Sequence, residues 1–196
     1  MVTINYRNAA VKIAESVYEP AEDSFLLADA ALEVCIDGMK VLEIGTGTGF
    51  VASVVQANRN IELTATEINP HAALCAKSNG VAVIRTDMFA GIIKERHFDI
   101  IIFNPPYLPT SDEEKVPGWL NYAFDGGKDG RKVIIRFIEE VSSHLKEEGT
   151  IVIMISSLTD IEEVKALMYR HGFKTRIIAR TKCSFEELVV IEGKFS

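Results

Sequence analysis

The chain has 196 residues, 47% of them apolar and 25% charged, with a formal net charge of −7. That balance suits a globular domain with a core of its own and excludes a largely disordered chain. It also supplies no overall basic surface of the kind that grips nucleic acid through phosphates.

Short apolar runs alternate with helical patterning from residue 22 onward. A helix is expected over 22–34, then a strand over 40–44 that ends at glycine, then a helix over 49–58. Further strands are expected over 61–66, 81–85, 98–103 and 150–155, each short and rich in β-branched or aromatic residues, as buried parallel strands are. Asn69-Pro70 reads as an N-cap followed by proline at the first helical position, with Gly80 as that helix's terminator. Over 132–145, Val133, Phe137, Val141 and Leu145 recur at four-residue steps with Ile134 and Ile138 beside them, a broad apolar stripe. Thr159-Asp160-Ile161-Glu162 has the form of a capping box, and Gly172 follows the helix it opens.

The tail changes rhythm. Strands over 173–181 and 185–192 flank a Lys182-Cys183-Ser184 turn, which makes a hairpin and not another βαβ unit. The expected fold is α/β, Rossmann-like, with a mostly parallel seven-stranded sheet and a C-terminal antiparallel hairpin, in a single domain over 1–196. The stretch 107–130 is long and irregular, holding Pro109, Pro117, Gly118, Gly126, Gly127 and Gly130, and it starts where a strand ends. Long loops at that edge of an open α/β sheet are usually functional.

Cys35, Cys75 and Cys183 stand in no C-x-x-C pair, and the four histidines are far apart, so buried thiols and no metal site are expected. Asn5, Arg7 and Asn8 interrupt any N-terminal apolar run, and none approaches the roughly 20 residues that span a bilayer. A soluble cytoplasmic protein without a membrane partner is the expectation. Arg170, Lys174, Arg176, Arg180 and Lys182 cluster late in the chain; a solvated helix and strand face explains them better than a nucleic-acid patch.

The chemistry gathers at strand ends. Glu43-Ile44-Gly45-Thr46-Gly47-Thr48-Gly49 leaves the first of these strands and enters a helix. Its glycines allow a tight turn and a close ligand, and the helix N-terminus can receive an anion such as the carboxylate of S-adenosylmethionine. The spacing G-x-G-x-G is not the dinucleotide pattern, and a turn with no ligand is the alternative. Glu67, just past the second strand, is placed to accept from ribose hydroxyls, or else serves as a helix-start carboxylate. Asp87, after the third, is placed to accept from an adenine amino group, or else is a turn aspartate.

Asn104-Pro105-Pro106-Tyr107 ends the fourth of these strands. Two prolines stiffen the turn and supply no amide donor, while Asn104 offers a carbonyl oxygen as acceptor. Acceptors on both hydrogens of a planar NH₂ group would orient it and stabilise positive charge as it attacks the sulfonium methyl, with Tyr107 stacked on the target. Catalysis would then rest on positioning and electrostatics, with no side-chain general base.

The Asn-Pro-Pro-Tyr motif resembles that of amino-methyltransferases acting on adenine N6, cytosine N4 and protein glutamine. Val17-Tyr18-Glu19-Pro20-Ala21-Glu22-Asp23-Ser24-Phe25 and Gly126-Gly127-Lys128-Asp129-Gly130-Arg131 resemble the HemK family of release-factor glutamine methyltransferases, in its short archaeal and eukaryotic branch. The resemblance runs from about residue 17 to about residue 155. It implies S-adenosyl-L-methionine as donor and N5-methylation of the glutamine in the Gly-Gly-Gln loop of a class 1 peptide chain release factor. By motif position, Ser24, Glu43, Gly45, Gly47, Glu67, Asp87 and Met88 would line the cofactor site. Asn104 would touch both cofactor and substrate, and Pro105, Pro106 and Tyr107 would hold the glutamine amide. Three positions depart from the family: Glu67 where Asp is frequent, and Phe124-Asp125 where the short branch often has Trp-Ala.

The resemblance also implies a small zinc-binding activator protein as partner. The strand at 81–84 would lie at the sheet edge, and an apolar free edge invites pairing, so the activator is expected along it. Two other readings remain: an adenine-N6 methyltransferase on nucleic acid, against which the acidic charge counts, and a non-catalytic S-adenosylmethionine-binding partner module.

Overall fold

The computed structural model describes residues 2–15, 17–111, 113 and 118–195. Pro117 of the irregular stretch lies outside the described residues. Two strands, β1 (Val2–Tyr6) and β2 (Ala9–Ile13), form an antiparallel hairpin. Then follow α1 (Glu22–Val34), β3 (Lys40–Ile44), α2 (Phe50–Asn58), β4 (Glu62–Glu67), α3 (Pro70–Ser78), β5 (Val83–Arg85) and β6 (Phe98–Phe103). The chain continues through α4 (Lys132–Val141), β7 (Leu145–Ser156), α5 (Ile161–Arg170), β8 (Phe173–Lys182) and β9 (Glu187–Phe195). Strands β3 to β9 make one seven-stranded sheet in the order β5-β4-β3-β6-β7-β9-β8. The pairs from β5 to β7 are parallel, and β9 runs antiparallel to both β7 and β8.

The period-two alternation of the strands builds two apolar layers. Val41, Ile100, Ile102, Val152 and Met154 face α1 and α2, while Leu42, Ile101, Phe103, Ile151 and Ile153 face α4 and α5. Burial on both faces is why these strands read as continuous apolar runs. On α4 the stripe is Ile134, Phe137, Ile138 and Val141, all fully buried. Each such side chain contributes about 1.5–3 kcal/mol relative to exposure.

Several element ends differ from the sequence reading. Helix α4 stops at Val141, because the His144 carbonyl accepts from the amides of His97 and Phe98, and Leu145 pairs with Phe98. Strand β7 therefore starts at Leu145 and passes through a bulge, with Glu148 at φ +60°, before Thr150 resumes register opposite Ile100. The cap of α5 is Asp160, whose side chain accepts from the Glu163 amide, and not Thr159, which lies in a 3₁₀ turn. The C-terminal turn runs from Cys183 to Glu186, closed by Lys182 opposite Glu187. Strand β5 covers only three residues, because Val81 turns inward against Gly49 and Ala76.

The hairpin β1–β2 was not anticipated. It lies over α1, α2 and α3, with Val11 fully buried and the Tyr6 ring edge-on to Phe25. The Tyr6 hydroxyl donates to Asp29, and the Asn79 side chain both accepts from and donates to the backbone of Lys12. Late basic residues pair outward, Arg170 with Glu163, Arg176 with Glu192 and Arg180 with Glu187, as a solvated face does. Cys35 and Cys75 are buried; Cys183 is partly exposed. Among the described residues no helix is long and apolar enough to cross a membrane.

Candidate functional site

Parallel register brings the chemistry to one edge. Ile44 sits level with Thr66 on β4 and Phe103 on β6, and Phe103 with Ile153 on β7. One residue further along, Glu67 closes β4 while Gly45 and Asn104 step off the carboxyl ends of β3 and β6. The sheet changes direction of growth between β3 and β6, the crevice where open α/β sheets take ligands.

Gly45, Gly47 and Gly49 all have φ between +59° and +79°, a backbone conformation that side chains disfavour. Their surroundings differ. A Cβ at Gly49 would lie 2.9 Å from Val81 and 3.0 Å from Ala76, so this glycine lets α2 start close against α3. A Cβ at Gly47 would meet nothing within 4 Å, so the loop borders open space there.

Two carboxylates brace the loop. Glu43 accepts from the Thr46 hydroxyl (2.7 Å) and the Ala52 amide (3.1 Å), and burial pushes its pKa up to about 8. Glu67 accepts from the Gly47 amide and the Asn69 amide, each at 2.8 Å, and burial raises its pKa despite those bonds. Each carboxylate oxygen has two lone pairs, so a ribose hydroxyl can still be accepted beside these amides. Asp87 is not free as the sequence suggested: both of its oxygens lie within 2.9 Å of Nη1 of Arg136, whose Nε is held by Glu140. Met88 follows with φ +46° and a buried side chain.

Beyond β6, the Asn104 Nδ2 donates to Oδ2 of Asp23 at 2.8 Å, while its Oδ1 is buried without a partner. Asp23 is buried at the start of α1, and its other oxygen accepts from the Tyr18 hydroxyl and from the amide and hydroxyl of Ser24. A carboxylate therefore lies against the motif, bonded to Asn104, where the sequence reading expected no side-chain general base. Burial, with the nearby Asp23 charge, raises the pKa of both Tyr18 and Tyr107, so both phenols stay neutral. The glycine-rich turn braces the prolines from behind. A Cβ at Gly126 would lie 2.9 Å from the Pro106 carbonyl, and one at Gly130 would collide with the Tyr107 carbonyl. The Leu108 amide donates to Phe124 and its carbonyl accepts from Gly126, which ties the motif's exit to this turn.

All the residues singled out in the sequence border one cavity of about 630 Å³: Ser24, Glu43, Gly45, Gly47, Glu67, Asp87, Met88, Asn104, Pro105, Pro106 and Tyr107. That volume lies within the range of about 300–1,000 Å³ common to ligand pockets. Open space at Gly47, carboxylates at successive strand ends and an unpartnered acceptor at Asn104 fit a nucleoside-bearing, cationic donor beside a hydrogen-bonding substrate. Asp23, Tyr18, Arg136 and Glu186 also line it and were missed as site residues. Only the stretch 17–25 carried a signal for the first two; nothing local marks Arg136 or Glu186, which arrive from α4 and the β8–β9 turn.

Comparisons with known proteins agree with this geometry. Residues 23–117 match the family model described as Methyltransferase small domain. A Methanocaldococcus jannaschii protein assigned as a protein N5-glutamine methyltransferase is 42% identical, over 97% of this chain and 98% of its own length. The human methyltransferase HEMK2 is 31% identical over 90% of this chain and 88% of its own. Among solved structures, the Encephalitozoon cuniculi Mtq2–Trm112 complex, titled as responsible for methylation of the translation termination factor eRF1, matches with a TM-score of 0.73. It is 29% identical and covers 91% of this chain and 98% of that one. With the motif, the sheet order and these relatives together, the chain belongs to the HemK-type protein N5-glutamine methyltransferases, in their short branch, and is an S-adenosylmethionine-dependent methyltransferase.

Proposed function

We propose that the chain methylates N5 of the glutamine in the Gly-Gly-Gln loop of a class 1 peptide chain release factor. The observation that carries this reading is the buried, unpartnered Oδ1 of Asn104, set beside the Pro105-Pro106 turn in the cavity. S-adenosylmethionine, when bound, supplies an electrophilic methyl group on a sulfonium. Ser24, Glu43, Gly45, Gly47, Glu67, Asp87 and Met88 would hold it, with Asp87 presented by Arg136.

A glutamine amide nitrogen is barely basic, so removing its proton first is costly. Asn104 Oδ1 accepts one of its N–H groups and a carbonyl of the proline turn accepts the other. Both acceptors grow stronger as positive charge develops on nitrogen, which is when stabilisation lowers the barrier. As the new C–N bond forms, the bond between the methyl carbon and the sulfonium would break, its electron pair would return to sulfur to leave neutral S-adenosylhomocysteine, and one N–H proton would be given up to solvent. Tyr107, neutral and half-buried, packs against the planar amide. A lysine substrate would need a base to free its amine, whereas Asp23, the carboxylate bonded to Asn104, already accepts four hydrogen bonds.

The finer partner reading is a small zinc-binding activator that adds a strand along β5. Only β4 pairs with β5 among the described strands, and Ile84 is 40% exposed there. Action in the cytoplasm follows from a release-factor substrate.

The test is mass spectrometry of a release factor, and separately of DNA, after incubation with labelled donor, with and without activator. One methyl on the glutamine of the Gly-Gly-Gln loop, with greater yield when activator is present, is the expected result. Label on DNA adenine with none on the release factor would overturn the substrate; equal yield and solubility without activator would overturn the pairing.

A further inference from the structure

We infer that Asp23 is the positioning residue that decides which end of the Asn104 amide faces the reacting group. The inference rests on the function proposed above. The two ends of an asparagine amide have the same shape but opposite hydrogen-bonding character, so only the network distinguishes them. A carboxylate accepts and does not donate. With Asp23 Oδ2 2.8 Å from the amide, the NH₂ end of Asn104 must point at it, and Oδ1 must point away. That oxygen is left buried without a partner, a costly state unless a ligand donates to it.

Asp23 is itself held on its other oxygen by the Tyr18 hydroxyl (3.0 Å), the Ser24 amide (2.6 Å) and the Ser24 hydroxyl (3.1 Å). It comes from the first turn of α1, 81 residues before Asn104. Were the amide reversed, NH₂ would meet the NH₂ of the substrate, and the acceptor that stabilises the developing charge would be lost. Asp23 thus acts through Asn104 and need not touch the substrate.

The test uses Asp23→Ala and the isosteric Asp23→Asn, with Asn104→Ala and the double variant Asp23→Ala/Asn104→Ala, all in the activator complex. In ¹⁵N-labelled protein, the side-chain amide of Asn104 should move toward a solvent-exposed shift and exchange faster in both Asp23 variants. In methyl transfer, kcat should fall on the order of 100-fold, as a misplaced reacting group costs. KM for donor and release factor should stay within about twofold, the pattern of an interaction made in the transition state alone. Asp23→Ala should add no further loss on the Asn104→Ala background.

An Asn104 amide signal that does not move in either Asp23 variant overturns the inference. So does an equal kcat loss with and without Asn104, or a rise in KM with kcat unchanged. The amide signal needs no substrate, so it decides the matter even where Asn104→Ala is inactive. If the wild-type complex fails to methylate the release factor, the proposed function falls while the amide result still stands; if it methylates but the Asp23 variants keep kcat, this inference alone falls.

Discussion

Glu43 sets a pH dependence at the scale of one residue. Its carboxyl is buried, and burial raises its pKa to about 8 against a usual 4.5. The folded state thus favours the protonated form. The contribution of Glu43 to stability is fully present below the usual carboxylate range and is lost as pH rises from there through about 8. A cationic donor in the cavity favours the ionised form and releases that proton, so binding should strengthen as pH rises toward 8. Glu43→Gln keeps an oxygen to accept from Thr46 and Ala52 but cannot ionise. Calorimetric titration with S-adenosylmethionine from pH 6 to 9 should give a steeper rise for wild type than for Glu43→Gln. Parallel curves would remove Glu43 as the titrating group.

At the scale of elements, the catalytic turn is held by a neighbour distant in sequence. Gly130 has φ +72°, and its missing side chain leaves room for the Tyr107 carbonyl. Gly130→Ala should destabilise the fold by about 1–3 kcal/mol through backbone strain. It should also lower kcat, on the order of 100-fold, through displacement of the Pro-Pro-Tyr turn. Denaturant titration and a methyl-transfer assay on the same sample check both; a stability loss with unchanged kcat would mean the glycine only supports the loop. The element pattern itself was largely legible. Helix α1 begins and ends where its apolar spacing says, and Asn69 caps α3 as its sequence suggests. The hairpin β1–β2 was missed because Val2, Ile4 and Tyr6 alternate over only five residues, and the turn at Arg7-Asn8 carries no glycine to mark it.

At the scale of the molecule, the cavity draws on α1, the ends of β3, β4 and β6, helix α4 and the β8–β9 turn. A ligand there touches residues from 17 to 186, and we propose that 1–196 unfolds as one cooperative unit. S-adenosylhomocysteine at 100 times its Kd should add about 2.7 kcal/mol and raise Tm by roughly 5–10 °C in a single transition. Calorimetry showing two transitions, with only one of them shifted, would divide the chain into separate units. The net charge of −7 has its place here too, since it disfavours a nucleic-acid substrate without describing any particular surface.

Local sequence was enough to determine the α/β pattern, the glycine loop, the carboxylates at strand ends and the Asn-Pro-Pro-Tyr turn, because each is a short-range signal: side-chain periodicity, a backbone only glycine adopts, a ring without an amide. Tertiary structure alone decided that Asp23 orients Asn104, that Arg136 holds Asp87, and that Gly126 and Gly130 close behind the prolines. Those depend on which side chains parallel register and helix packing bring within hydrogen-bond reach, and nothing in the spacing of residues 81 or 49 positions apart encodes such a distance.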